Sequence, residues 1–318
     1  MDAPLLLADI PWLLYRSYFG LPKSIVDGEG RPVNALLGTV NALLGVIDGR
    51  LPARPLRGVV GCLGAEDADY RVKLYEGYHA QREEMPVELA AQWAKAPELL
   101  SGFGWTVSSS AEFEADDVMF SLARGEEEAG GGALVLTGDR DLYGAVSERV
   151  AVVDLRKGGP EEVGPEEVRE RYGVEPEQVA DFIALRGDPS DGLPGAPGIG
   201  AKTAAELLQQ YGTLESLLLE AGAPEETPAR ERARKAAGST PERPPSSRQP
   251  MRPRTASALR ENADLLRTFR KIATLQRIEL QRPPDGTTDF AAGALAAREL
   301  GMARLAERLE RRADQSAG

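Results

Sequence analysis

The sequence predicts an α/β fold with a mainly parallel central sheet, followed by a helical region. Three observations predict it. Four short apolar runs, Pro4–Ala8, Gly58–Leu63, Ala133–Thr137 and Val150–Asp154, read as buried strands. Helical periodicity separates them over Val33–Ile47, Glu88–Leu100 and Phe113–Arg124, and strands alternating with helices imply parallel pairing. After about residue 165 the strand signal stops. Proline then opens helical patterns at Pro165–Tyr172 and Pro176–Arg186, and further helices are expected at Lys202–Tyr211, Leu214–Leu219, Ala258–Leu275 and Gly293–Arg311.

The expected division is therefore a domain over 1–165 and a helical region over 166–318. Residues 222–256, rich in Pro, Arg, Ala and Ser, read as a flexible insertion. Tyr70–Trp105 lacks a clear strand and is expected to form an arch or lid, about 70–105, over the sheet edge.

Composition narrows the function classes. A single cysteine, Cys62, excludes a disulfide within the chain and fits a reducing cytosol, so a cytoplasmic location is expected. The apolar start LLLADIPWLLY has no basic n-region and is interrupted by Asp9, so it reads as a strand and a helix start rather than a signal peptide. No apolar run is long enough to span a membrane. The net charge is −12, but Arg230–Arg282 carries 14 Lys or Arg against 5 Asp or Glu. That stretch is +9 and the remainder −21, a basic segment beside an acidic body.

The acids fall at turns and helix starts. Glu114, Asp116 and Asp117 crowd one helix N-terminus, where the dipole favours an acid but three repel one another unless cations are shared. Asp139 and Asp141 follow a buried strand, as does Asp9, and ligands of parallel sheets sit beyond those strand ends. Asp188 and Asp191 stand just before the glycine hairpin Gly198-Ile199-Gly200, which opens a helix through Lys202 and Thr203. Glycines let backbone N–H groups approach a phosphate, and the helix N-terminus adds positive charge. Eight acids without His or Cys form an oxygen-rich set suited to Mg²⁺ or Mn²⁺, two of which can activate water and support the leaving oxygen of a phosphodiester.

With these motifs in this order, the chain resembles the 5′-nuclease family, which includes the 5′–3′ exonuclease domain of bacterial DNA polymerase I and the flap endonucleases. The resemblance rests on Asp9 with Tyr15-Arg16, Tyr70-Arg71, Tyr78 through Arg82, Glu114 through Asp117, Thr137 through Tyr143, and Gly187 through Thr203. It covers roughly residues 4–220 and resumes at Arg260–Leu280. It implies a PIN-like domain followed by a helix–three-turn–helix (helix-hairpin-helix-like) DNA-binding module, and metal-dependent hydrolysis of 5′ flaps or 5′ ends in DNA replication or repair. Asp9, Glu114 and Asp116 would hold one metal, and Asp139, Asp141 and Asp191 the other, with Asp117 and Asp188 outside them. Arg71, Arg82 and His79 would act at the scissile or 5′ phosphate. Arg16, Gly198, Ile199, Gly200, Lys202 and Thr203 would meet the DNA backbone, with K⁺ bound at the hairpin. The expected protein is a monomeric, stand-alone nuclease.

The chain departs from the family in places. Counting back from Tyr70-Arg71, an expected acid falls at Gly64 or one residue either side, and no acid is there. The family's Tyr-Lys-Ala segment reads Tyr78-His79-Ala80, so the only histidine of the chain replaces a phosphate-binding lysine. These departures motivate an alternative: a catalytically weakened or inactive DNA-structure-binding paralogue.

Overall fold

The computed structural model describes residues 3–50, 55–156, 159–222 and 251–316. They group into two compact units. Described residues up to Arg171, Glu175–Glu177 and those from Thr274 onward form the first; Tyr172–Val174 and those from Gln178 to Ala273 form the second.

The first unit is built on strands β1 (Leu5–Asp9), β2 (Gly58–Leu63), β3 (Thr106–Ser109), β4 (Ala133–Leu136), β5 (Val150–Arg156) and β6 (Gly159–Val163). The sheet order is β3-β2-β1-β4-β5-β6. Every pairing is parallel except β5 with β6. Strands β1, β2 and β4 are buried at every residue, which is why they appear as continuous apolar runs rather than alternating ones. The two edges, β3 (TVSS) and β6 (GPEEV), are polar and carry no such signal. Pro160 is tolerated in β6 because that strand lies at an edge.

Helices α1 (Ile10–Gly20), α2 (Asn34–Gly45) and α4 (Val87–Gly102) pack with Leu6 and Ala8 of β1 into one core, through residues such as Leu13, Leu36 and Leu99. Helix α3 (Asp69–Leu74) precedes α4, and α5 (Ala115–Glu128) packs along β1, β2 and β4. The segment 70–105 is thus mostly not an arch. The apolar spacing of α4 buries Leu89, Ala96, Leu99 and Leu100, and within 70–105 only residues 75–86 and 103–105 lack helix or strand. Helix α6 (Pro165–Tyr172) leads to the boundary between the units.

Residues from Thr274 onward belong with the sheet, although the sequence pattern grouped them with the preceding helices. The reason lies in long-range partners. The Gly286 amide donates to the Arg57 carbonyl at 2.8 Å, and the Asp289 amide to the Phe103 carbonyl at 2.9 Å. Arg282 and Arg57 both pair with buried Glu126. The expected helix Gly293–Arg311 is two, Phe290–Glu299 and Ala303–Ser316, broken at Gly301, whose φ of 75° ends a helix.

In the second unit α7 (Val179–Arg186) packs on helix Ala263–Ala273, α8 (Ala201–Tyr211) on α7, and α9 (Leu214–Gly222) on α8. The expected helix Ala258–Leu275 is likewise two, Pro253–Glu261 and Ala263–Ala273. The link from α7 to α8 turns at Gly187, Gly192, Gly195 and Gly198, with φ of 83°, 74°, 70° and 77°. Gly187 and Gly195 approach so closely that a Cβ on either would strike the other's backbone. Of the insertion expected at 222–256, residues 223–250 lie outside the described residues. No helix among the described residues is long and apolar enough to cross a membrane.

Candidate active site

Strands β1 and β4 are neighbours, so their carboxyl ends bring Asp9 and Thr137 side by side. Asp9 ends β1 and caps α1. Its carboxylate accepts from the Trp12 amide at 2.9 Å and from the Thr137 hydroxyl at 2.7 Å. The same hydroxyl accepts from the Asp139 amide at 3.0 Å, and the Asp139 carboxylate accepts from the Asp141 amide at 2.8 Å. Buried Thr137 therefore ties Asp9 to the loop after β4. Burial pushes the Asp9 carboxyl up to about 6, against the two hydrogen bonds that favour its charge.

Asp116, in the first turn of α5, is raised well above the ordinary carboxylate range. Burial contributes most, followed by the charges of Asp139, Asp9 and Glu114. Those four acids thus share one field at the sheet's carboxyl edge.

Glu114 and Asp117 are met differently. Arg71, from α3, is 4% exposed and lies between them. Its guanidinium donates to Glu114, and to Asp117 at 3.0 Å. Glu114 also accepts from the Ala68 amide at 2.8 Å and from the Tyr78 hydroxyl at 3.1 Å. Asp117 is fully buried and accepts from the Gln276 amide at 2.7 Å and the Tyr70 hydroxyl at 3.4 Å. Burial works against the charge on Arg71, but Glu114 and Asp117 outweigh it and hold its pKa above the ordinary arginine value. Arg71 was expected at a DNA phosphate. Buried in this double ion pair, it instead orients the acids at the start of α5.

Arg82 is the arginine that remains open, its side chain 42% exposed, and His79 stands beside it. Tyr15 donates to Glu66 at 2.8 Å, and Asp67 lies against His79 and Arg82, so neither loop acid substitutes for the one absent at Gly64. At Gly64 a Cβ would strike the Glu114–Ala115 peptide, and the Ala65 amide donates to the Phe113 carbonyl at 2.9 Å. The backbone entering α5 occupies the space that a side chain there would need.

Asp188 and Asp191 lie in the second unit. Asp188 accepts from Arg186 at 2.9 Å, from the Ser190 amide at 2.9 Å, and from the Ser190 hydroxyl. Of the hairpin, Ile199 is buried at 4% exposure, so only its backbone can serve a ligand. Gly200 caps α8 without a side-chain bond, and the Lys202 side chain is 90% exposed. Arg16 is exposed on α1, its guanidinium 5.6 Å from the Trp12 ring centroid.

Among the described residues, no three Asp, Glu, His or Cys already stand close enough to grip an ion as they are. The donor set is nonetheless all oxygen, and the charges of Asp139, Asp9 and Glu114 raise the pKa of Asp116, a repulsion that a divalent cation relieves. The chemistry of the set fits such an ion. Thr137 and Tyr78 are site residues to which the sequence pattern assigned no role. Their signal was membership of two of the motifs quoted above, beside His79 and at the end of a buried strand.

Known proteins bear on this site. The model of the 5′-3′ exonuclease N-terminal resolvase-like domain matches residues 4–173, and that of the 5′-3′ exonuclease C-terminal SAM fold matches residues 174–286. A 5′-3′ exonuclease of Mycobacterium tuberculosis is 39% identical over 240 residues, covering 69% of this chain and 74% of that protein. Thermostable DNA polymerase I of Thermus thermophilus is 42% identical over 217 residues, covering 67% of this chain and 25% of the polymerase, so the chain spans about a quarter of the polymerase's length. Among solved structures, the T5 D15 protein co-crystallised with metal ions has a TM-score of 0.62 at 13% identity, covering 99% of this chain and 100% of that one. The catalytic core of Rad2 with a DNA substrate has a TM-score of 0.60 at 13% identity, covering 97% and 93%. Both carry the α/β fold and its helical partner described above.

Proposed function

Since the chain belongs to the 5′-3′ exonuclease family, we propose that it is a divalent-metal-dependent 5′–3′ exonuclease and 5′-flap endonuclease that hydrolyses DNA phosphodiester bonds in replication or repair. The observation that carries this reading is the division of charge at the sheet's carboxyl edge. Arg71 answers Glu114 and Asp117, while the charges of Asp139 and Asp9 bear on Asp116.

The metal ligands of the first unit are Asp9, Glu114, Asp116, Asp139 and Asp141, with Asp117 acting outside them; Asp191 and Asp188, in the second unit, are the acids that the family resemblance adds. Two Mg²⁺ or Mn²⁺ ions held there would lower the pKa of a bound water and stabilise the departing 3′-oxygen. Thr137 keeps Asp9 and Asp139 in register, and Tyr78 and Arg71 orient Glu114. Arg82 supplies a positive charge for the scissile or 5′-terminal phosphate. The Gly198–Gly200 backbone, Lys202, Thr203 and Arg16 grip duplex phosphates without reading bases, and K⁺ at the hairpin assists. The protein acts as a monomer on DNA with 5′ flaps or 5′ ends.

The test is cleavage of a 5′-flap DNA in Mg²⁺ and in Mn²⁺, with an Asp116→Ala/Asp139→Ala control purified identically. Cleavage that disappears in the control supports the reading. Flap binding without cleavage in either metal supports instead the inactive DNA-structure-binding paralogue, which the absent acid at Gly64 favours.

A further inference from the structure

A second constellation lies next to the acids, and the chemistry above leaves it unexplained. His79 has φ of 53°, and among the described residues it is the one non-glycine with positive φ. Such a backbone persists only where its surroundings over-determine it, and it tends to occur at functional sites. Here three neighbours hold the ring. It stacks on Tyr78 with centroids 3.9 Å apart. Its Nδ1 is 2.5 Å from the Asp67 carboxylate, and its Nε2 is 3.2 Å from the Arg82 guanidinium.

The chemistry of these partners assigns the ring proton. A guanidinium nitrogen has no acceptor, so Arg82 donates and Nε2 accepts. The proton of the neutral ring then sits on Nδ1 and is donated to Asp67. The Arg82 guanidinium is completed by the Glu66 carbonyl at 3.1 Å and Asp67 at 3.4 Å. A lysine in place of His79 would repel Arg82, whereas an imidazole with a bare Nε2 holds it.

We propose that Asp67 and His79 form a positioning relay, in which Asp67 fixes the Nδ1–H tautomer of His79 and His79 holds Arg82 in place for the DNA phosphate. The relay rests on the nuclease reading for the role of Arg82, but not for its geometry. Tyr78 joins it to the metal-binding edge, because the ring that stacks on His79 also donates its hydroxyl to Glu114.

The chain contains one histidine, so the imidazole ¹⁵N spectrum of the tag-free, full-length protein reports a single ring. At pH 8 it is expected to show the Nδ1–H tautomer, the minor form of free histidine, and Asp67→Ala is expected to shift it toward Nε2–H. An Nε2–H tautomer in the wild type overturns the relay, whether or not the protein cleaves DNA.

On 5′-flap DNA, His79→Ala is expected to lower kcat/KM about tenfold, and His79→Gln to restore most of the loss, since its amide can donate to Asp67 and accept from Arg82. In an Arg82→Ala background, His79→Ala is expected to add nothing further. Losses that multiply independently would mean that His79 does not act through Arg82.

Discussion

Two parts of one acidic edge are treated oppositely by the protein. Glu114 and Asp117 are closed off: Arg71, two backbone amides and two tyrosine hydroxyls meet their charge inside the fold. Asp9 and Asp139, in the same unit, are tied together through Thr137; burial raises the pKa of Asp9, and burial with the charges of neighbouring acids raises that of Asp116. A charge balanced from within stabilises the fold. A charge buried beside others of its own sign favours a bound cation. The contrast separates acids that Arg71 orients, the proposed ligand Glu114 among them, from acids whose pKa burial raises.

Breaking the closed half is expected to have the largest effect. Arg71→Ala leaves two buried carboxylates without their counter-charge and should lower stability by about 3–5 kcal/mol, measured by urea unfolding. Gly64→Asp comes next. It supplies the acid that the family pattern expects, yet its side chain must displace the backbone entering α5. It should destabilise by about 1–3 kcal/mol and leave flap cleavage no faster; faster cleavage would mean that the loop yields.

The open half can be sharpened by pH. The folded pKa of Asp9 lies above its unfolded value, so the folded chain retains a proton that the unfolded chain releases. Its contribution to stability is full below about pH 4 and is lost as pH rises through about 6. Asp9→Asn should therefore gain stability relative to the metal-free wild type between pH 5 and 7.5, by about 1.4 kcal/mol. Millimolar Mg²⁺ should shrink that gain, because it rescues the wild type alone. Thermal unfolding at the two pH values checks both. The smallest effect is expected in the second unit. Lys202→Ala, on a side chain exposed to solvent, should leave stability unchanged, weaken duplex binding a few-fold and reduce the salt slope by about 1.

The contrast itself was not legible in the sequence. The acids were, because their spacing after buried strands and at a helix start survives in one dimension. Which of them Arg71 would close off was not, since Arg71 lies 43 residues from Glu114 in sequence. Likewise β1, β2 and β4 were legible as continuous apolar runs, while β3 and β6, polar edges, became strands only through pairing. The assignment of residues from Thr274 onward to the sheet's unit depends on Arg57, Glu126 and Phe103, none of them near in sequence.

By itself, then, the sequence determined the alternation of buried strands and helices, the oxygen-rich acid set and the glycine turns before α8, because each depends on local periodicity or on residue chemistry at short spacing. Only the tertiary structure decided which acids are neutralised, why Gly64 carries no side chain, and how His79 comes to hold Arg82. Those depend on burial and on partners brought together across the chain, and a charge buried beside a cation behaves differently from the same charge buried beside its like.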